Sequence, residues 1–131
     1  MVCLETTFLV DFLRGKEEAE SVFNDLVDKR SQITITSPSL MEIMSGAHNN
    51  QKKEELRKIE EVILSKVIIL NLDKESAILA GEIDSELTLS GDSIGTTDIM
   101  IGAIAKHNNE PLITRNKKHF ERIKGLKIES Y

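Results

Sequence analysis

Short apolar runs recur along this chain with helix-patterned stretches between them, and that alternation restricts the fold more than any other feature. Met1 to Leu4, Ile33 to Thr36, Val67 to Leu70 and Leu112 to Thr114 read as strands, and Leu126 to Glu129 as a fifth. Thr6 or Thr7 is placed to cap a helix running through Asp11, with Gly15 as its stop. Glu17 to Arg30 carries Ala19, Val22, Phe23, Leu26 and Val27 at helical spacing. Ser37-Pro38 supplies a cap and a first-turn proline for a helix to about Gly46. Gln51 to Leu64 is a charged amphipathic helix, and Asp73 caps a longer one to Leu89. Thr97 to His107 is apolar on nearly every side, so it must be buried. A short helix over Lys117 to Ile123 follows. Strands that alternate with helices predict an α/β fold, with a mainly parallel central sheet of four to five strands flanked by helices.

Composition agrees with one domain spanning residues 1–131, because a chain of 131 residues that is 40% hydrophobic can bury one core but has little room for two. Aromatic residues make up 4%, without tryptophan, which leaves little material for stacking platforms under bases. The one cysteine, Cys3, lies in an apolar strand and is expected to be a buried thiol. No leader pattern opens the chain and no apolar run is long enough to cross a bilayer, which points to a soluble cytoplasmic protein.

In a parallel sheet of this kind, the carboxyl ends of the strands and the amino ends of the following helices share one edge, where ligands bind. Four polar residues fall there: Glu5 after the first strand, Glu42 early in the third helix, Asp98 at the start of the buried helix, and Asn116 after the fourth strand. Each has a plainer reading. The helix dipole alone favours Asp98, Asn116 is well placed as an N-cap, and Glu42 could face solvent. Together, however, carboxylates held close repel one another and need a counter-charge. Mg²⁺, with Mn²⁺ as a substitute, binds carboxylate oxygens and retains waters for a phosphate. The chemistry suggested is metal-assisted phosphodiester hydrolysis. Zinc spacing among His48, His107 and His119, a glycine-rich phosphate loop and a nucleophile elbow are all missing.

The net charge of −5 speaks against whole-surface nucleic-acid binding, but its distribution is uneven. Residues 111–131 carry six basic side chains against two acidic ones. Among them Arg115, Lys117 and Lys118 adjoin Asn116 and are candidates for contact with a phosphate backbone.

These residues resemble the PIN-domain family, most nearly the VapC toxins of type II toxin and antitoxin pairs. The matching segments are Leu4 to Gly15, Leu40 to Ile43, Ile94 to Ala103, Ile113 to Asn116, His119-Phe120 and Gly125-Leu126. The resemblance implies a Mg²⁺-dependent endoribonuclease that cleaves RNA, is inhibited by a VapB-type antitoxin and forms a homodimer. Glu42 and Asp98 match two of the family's acidic metal positions, and Asn116 falls where members often have Asp and sometimes Asn. Thr6 and Thr114 match hydroxyl positions that hold carboxylates.

Glu5 departs from the pattern, which has Asp. The extra methylene moves the carboxylate by roughly 1.5 Å, against a tolerance of ~0.5 Å in a preorganised site. A displacement of about 1 Å costs on the order of a hundredfold in rate. The expectation is a site that still binds metal but cleaves weakly. The alternative is a PIN-like module that acts by binding antitoxin or nucleic acid.

Overall fold

The computed structural model describes residues 1–131 and contains a five-stranded sheet in which every neighbouring pair is parallel. The strands are β1 (Val2–Leu4), β2 (Ile33–Thr36), β3 (Ile68–Leu70), β4 (Leu112–Ile113) and β5 (Ile128–Glu129), in the order β3-β2-β1-β4-β5. The chain therefore builds outward from β1 to one side, through β2 and β3, and then returns to β1's other side with β4. That reversal opens a crevice between β1 and β4 at their carboxyl ends, where open α/β sheets bind ligands.

Side-chain alternation along the strands divides the interior into two cores. Leu4, Ile33, Ile35 and Ile113 face one way, against Phe8, Leu9 and Phe12 of α1 (Thr6–Leu13), Phe23 of α2 (Glu17–Asp28) and Ile43 of α3 (Ser37–Asn49). Cys3 and Leu112 face the other way, against α6 (Lys74–Ser90) and α7 (Thr96–His107). Burial pushes the Cys3 thiol up to about 12, so it is an inert core residue as expected. The nearly all-round apolar α7 is buried at Ile99, Ile101, Ala103, Ile104 and Ala105. No helix is long and apolar enough to cross a membrane.

Element ends differ from the sequence expectation where a cap other than the expected one prevails. The first helix is capped by Glu5, whose carboxylate accepts a hydrogen bond from the Thr7 amide, not by Thr6 or Thr7. The third is capped by Thr36 one residue early, and it continues beyond Gly46 to Asn49. Nothing in the local backbone forces Gly46 to end a helix, since its φ is not positive. The charged helix runs as α4 (Lys53–Lys58), a π-helical turn over Ile59–Ile63 that buries both end residues, and α5 (Leu64–Lys66). Asp73 caps α6 with a capping box to Ser76, as the sequence indicates. The last helix, α8, stops at Phe120 instead of Ile123.

Candidate active site

The carboxyl edge of the sheet holds Glu5, Glu42, Asp98 and Asn116, each delivered by a different crossing of that edge. Glu5 follows β1 at the crevice itself and is only 2% exposed. Its Oε1 accepts hydrogen bonds from the Thr7 hydroxyl (2.8 Å) and the Thr114 hydroxyl, and its Oε2 accepts from the Thr7 amide (3.0 Å). Thr114 lies just beyond β4, so these contacts join the two strands that flank the crevice. The chain beyond β4 adds to the arrangement: the Arg115 amide donates to the Thr7 hydroxyl (3.0 Å) and the Asn116 amide to the Thr114 hydroxyl (2.9 Å).

Even with those bonds, Glu5 holds its proton more tightly than an ordinary carboxyl. Burial raises its pKa, the Thr114 and Thr7 bonds pull it back, and the charge of Asp98 adds to the rise. Asp98 thus stands near enough to Glu5 for the two acids to feel each other. Glu42, half-buried in the second turn of α3, is held by the Thr6 hydroxyl, which donates to its Oε1 at 2.7 Å. The Ser39 hydroxyl lies 3.0 Å from the same oxygen of Thr6. Both threonines expected to support the acids, Thr6 and Thr114, are thus in contact with them.

Asn116 precedes α8 in the N-cap position, yet its side chain makes no capping bond. Instead its Nδ2 lies 2.8 Å from His119 Nδ1, and the same ring nitrogen lies 2.9 Å from Asp98 Oδ2. When protonated, Nδ1 donates to Asp98; when bare, it accepts from Asn116. His119 therefore links α7 to the loop after β4. In the sequence, His119 figures only in the family-matching pair His119-Phe120 and among histidines without zinc spacing, with no role at the site. The signal available was its place one helical turn after Asn116.

The donors around Glu5, Glu42, Asp98 and Asn116 are carboxylate, amide and hydroxyl oxygens, the set that Mg²⁺ prefers, and the buried Glu5 has no ion-pair partner. In kind the residues fit that cation. In position, no three His, Cys, Asp or Glu side chains stand close enough together to hold an ion. Two of Glu5's bonds converge on Oε1, so Oε2 is its less encumbered oxygen.

The three basic candidates differ. Arg115 is occupied by acids, with Nε 3.2 Å from Asp11 and Nη2 2.9 Å from Glu18. Lys117 lies 3.6 Å from Glu121, and Lys118 is exposed. The apolar face of the helix Glu17 to Arg30 buries Ala19 and Phe23 in the core.

The sequence pattern of the PIN domain matches residues 2–126. A tRNA(fMet)-specific endonuclease VapC from Salmonella typhimurium is 34% identical over 101 residues, covering 77% of this chain and 76% of the relative. Ribonuclease VapC2 from Rickettsia felis is 32% identical over 114 residues, 86% of this chain and 85% of the relative. Among solved structures, VapBC2 from Rickettsia felis bound to a DNA fragment from its promoter superposes with a TM-score of 0.89 at 28% identity, covering 100% of this chain and 99% of that one. DNA-bound VapBC from Salmonella typhimurium gives 0.83 at 30% identity, covering 99% and 98%.

Proposed function

We propose a function from one premise: the chain belongs to the PIN-domain family, and its relatives there are VapC ribonucleases. On that premise it is the ribonuclease toxin of a VapBC-type pair, cleaving RNA phosphodiesters at the carboxyl edge of its sheet and held in check by a VapB-type antitoxin. The observation that carries this reading is Glu5 at the crevice between β1 and β4. It is a buried acid with a raised pKa, sensitive to Asp98, with threonine hydroxyls in place of a cation. A cluster so arranged is costly to maintain unless a ligand of opposite charge completes it.

Asp98, Glu42 and Glu5 would hold Mg²⁺, and Mn²⁺ in its place, with Asn116 assisting. When bound, the cation would polarise the scissile phosphate and lower the pKa of an attacking water. The chain's own residues supply position. Thr6 fixes Glu42, Thr7 and Thr114 fix Glu5, and His119 ties Asp98 to Asn116, so that each acid is held from outside the cluster. Arg115, Lys117 and Lys118, which adjoin Asn116 in sequence, are the candidates for contact with the RNA backbone. A homodimer and a cytoplasmic location complete the proposal, following from the family resemblance and the absence of a long apolar segment.

A second reading has its own support. Glu5 serves as a helix cap and accepts three hydrogen bonds, and no three acids converge. Such a chain could keep the fold and the antitoxin partner while cleaving RNA poorly. An RNA cleavage assay with Mg²⁺ or Mn²⁺, comparing the chain with Asp98→Asn, separates the two. Cleavage lost on substitution supports the enzyme; none in either protein supports the binding module.

A further inference from the structure

Beside the acids, on the α1 side, lies a groove of about 430 Å³ whose walls include Arg14, Arg115, Asp11 and Asn116 and whose floor includes Thr6 and Thr7. The floor is shared with the acid cluster, since Thr6 donates to Glu42 and Thr7 to Glu5. A smaller pocket is lined by both Glu42 and Arg14. Arg14 therefore borders the groove and also the pocket that Glu42 lines. It is exposed and forms no ion pair.

Arg115, across the groove, is held on several sides. Asp11 takes its Nε, Glu18 takes Nη2, and the guanidinium carbon lies 4.8 Å from the centre of the Tyr131 ring. Tyr131 in turn donates its hydroxyl to Asp11 Oδ2 at 2.6 Å and sets its ring edge-on against Phe8. Lys16 pairs with the other oxygen of Asp11 at 3.2 Å. Asp11 is thereby enclosed by two cations and a hydroxyl, so the acid in the groove wall is neutralised where it stands. An arginine clamped in this way spends little rotamer freedom when it meets a phosphate.

We propose that Arg14 and Arg115 form a phosphate subsite for single-stranded RNA, which positions the nucleotide next to the one cleaved at the acids. The subsite rests on the ribonuclease reading. It gives the RNA a path over α1 rather than over the lysines of α8, with Asp11 and Tyr131 as positioning residues for Arg115.

The test is binding of a fluorescein-labelled single-stranded RNA of about 12 nucleotides to the full chain carrying Asp98→Asn, followed by anisotropy across a salt series. Arg14→Ala in that background should weaken binding several-fold at about 50 mM salt and lower the slope of log K against log salt by about 0.7, one phosphate contact's worth on a single strand. Lys29→Ala, on the far end of α2, should change neither. Arg14→Lys should recover much of the slope but less of the affinity, because a point charge lacks the planar fork. If Arg14→Ala matches the parent in affinity and slope while Lys117→Ala with Lys118→Ala loses both, the groove is not the RNA path. If neither this parent nor the unsubstituted chain binds RNA, the ribonuclease reading fails and the subsite with it.

Discussion

Glu5 and Glu110 are both buried glutamates at opposite edges of the same sheet, and they are treated very differently. Glu5 is 2% exposed and Glu110 4%. Burial raises both, but Glu5 accepts three hydrogen bonds and feels a second acid, whereas Oε2 of Glu110 has no hydrogen-bond partner in the protein and feels the nearby chain amino group. Lys106 and Lys127 line a small pocket of about 160 Å³ beside it without pairing to it. A buried acid is therefore not in itself a sign of chemistry. What distinguishes the carboxyl edge is that hydroxyls from α1 and from the chain beyond β4 hold one acid in a fixed place where it feels another.

The contrast can be broken most forcefully at Asp98. Its replacement by Asn should reduce RNA cleavage on the order of a hundredfold or more, in keeping with loss of a carboxylate that would hold the cation acting on the phosphate, while the equivalent Glu110→Gln leaves cleavage unchanged. Equal losses in the two proteins would erase the distinction between the edges.

Glu5→Asp sharpens it from the other direction. Asp is a good helix cap and can keep the Thr7 amide, while withdrawal by one methylene brings the carboxylate to the position the family pattern uses. Cleavage should rise by as much as about a hundredfold, measured as kcat/KM on one RNA. An unchanged rate would mean that position 5 is not where activity is limited.

Thr114→Val removes a hydroxyl that donates to Glu5 and accepts from the Asn116 amide, leaving the buried Glu5 and the half-buried Asn116 amide each short of a partner. Urea denaturation should show a loss of about 1–3 kcal/mol. A neutral result would show that Glu5 does not depend on its hydroxyls.

The smallest effect belongs to Glu110→Gln. Because the folded pKa of Glu110 is raised, its contribution is intact below its unfolded pKa and is lost as pH rises through the folded value. The variant has no proton to lose there. Its melting temperature relative to the parent should therefore improve as pH rises above about 4, with a stability change under about 1 kcal/mol. A pH-independent difference would show that burial does not perturb this acid.

Much of this arrangement was legible in the sequence because it follows from topology. Strands with β-branched residues and helices between them fix which ends share an edge, and that is sufficient to bring Glu5, Glu42, Asp98 and Asn116 to one edge. Asp73 and its capping box were equally readable, since both partners lie within one turn. What could not be read depends on contacts between distant segments. The Glu5 cap competes with two threonines that look just as suitable, and only β4 supplies the Thr114 hydroxyl that secures it. His119 became visible as a site residue only when α7 brought Asp98 to it. That Arg115 is held in one place was equally hidden, because Asp11, Glu18 and Tyr131, all more than a dozen residues away in sequence, close around it only in the fold.

Crystals grown with Mn²⁺ and measured for anomalous scattering test the central claim most directly. The account predicts a peak at the carboxyl edge in contact with Asp98 and at least one of Glu5 and Glu42, with none at Glu110. A featureless carboxyl edge at saturating Mn²⁺, or a peak at Glu110 alone, would contradict it.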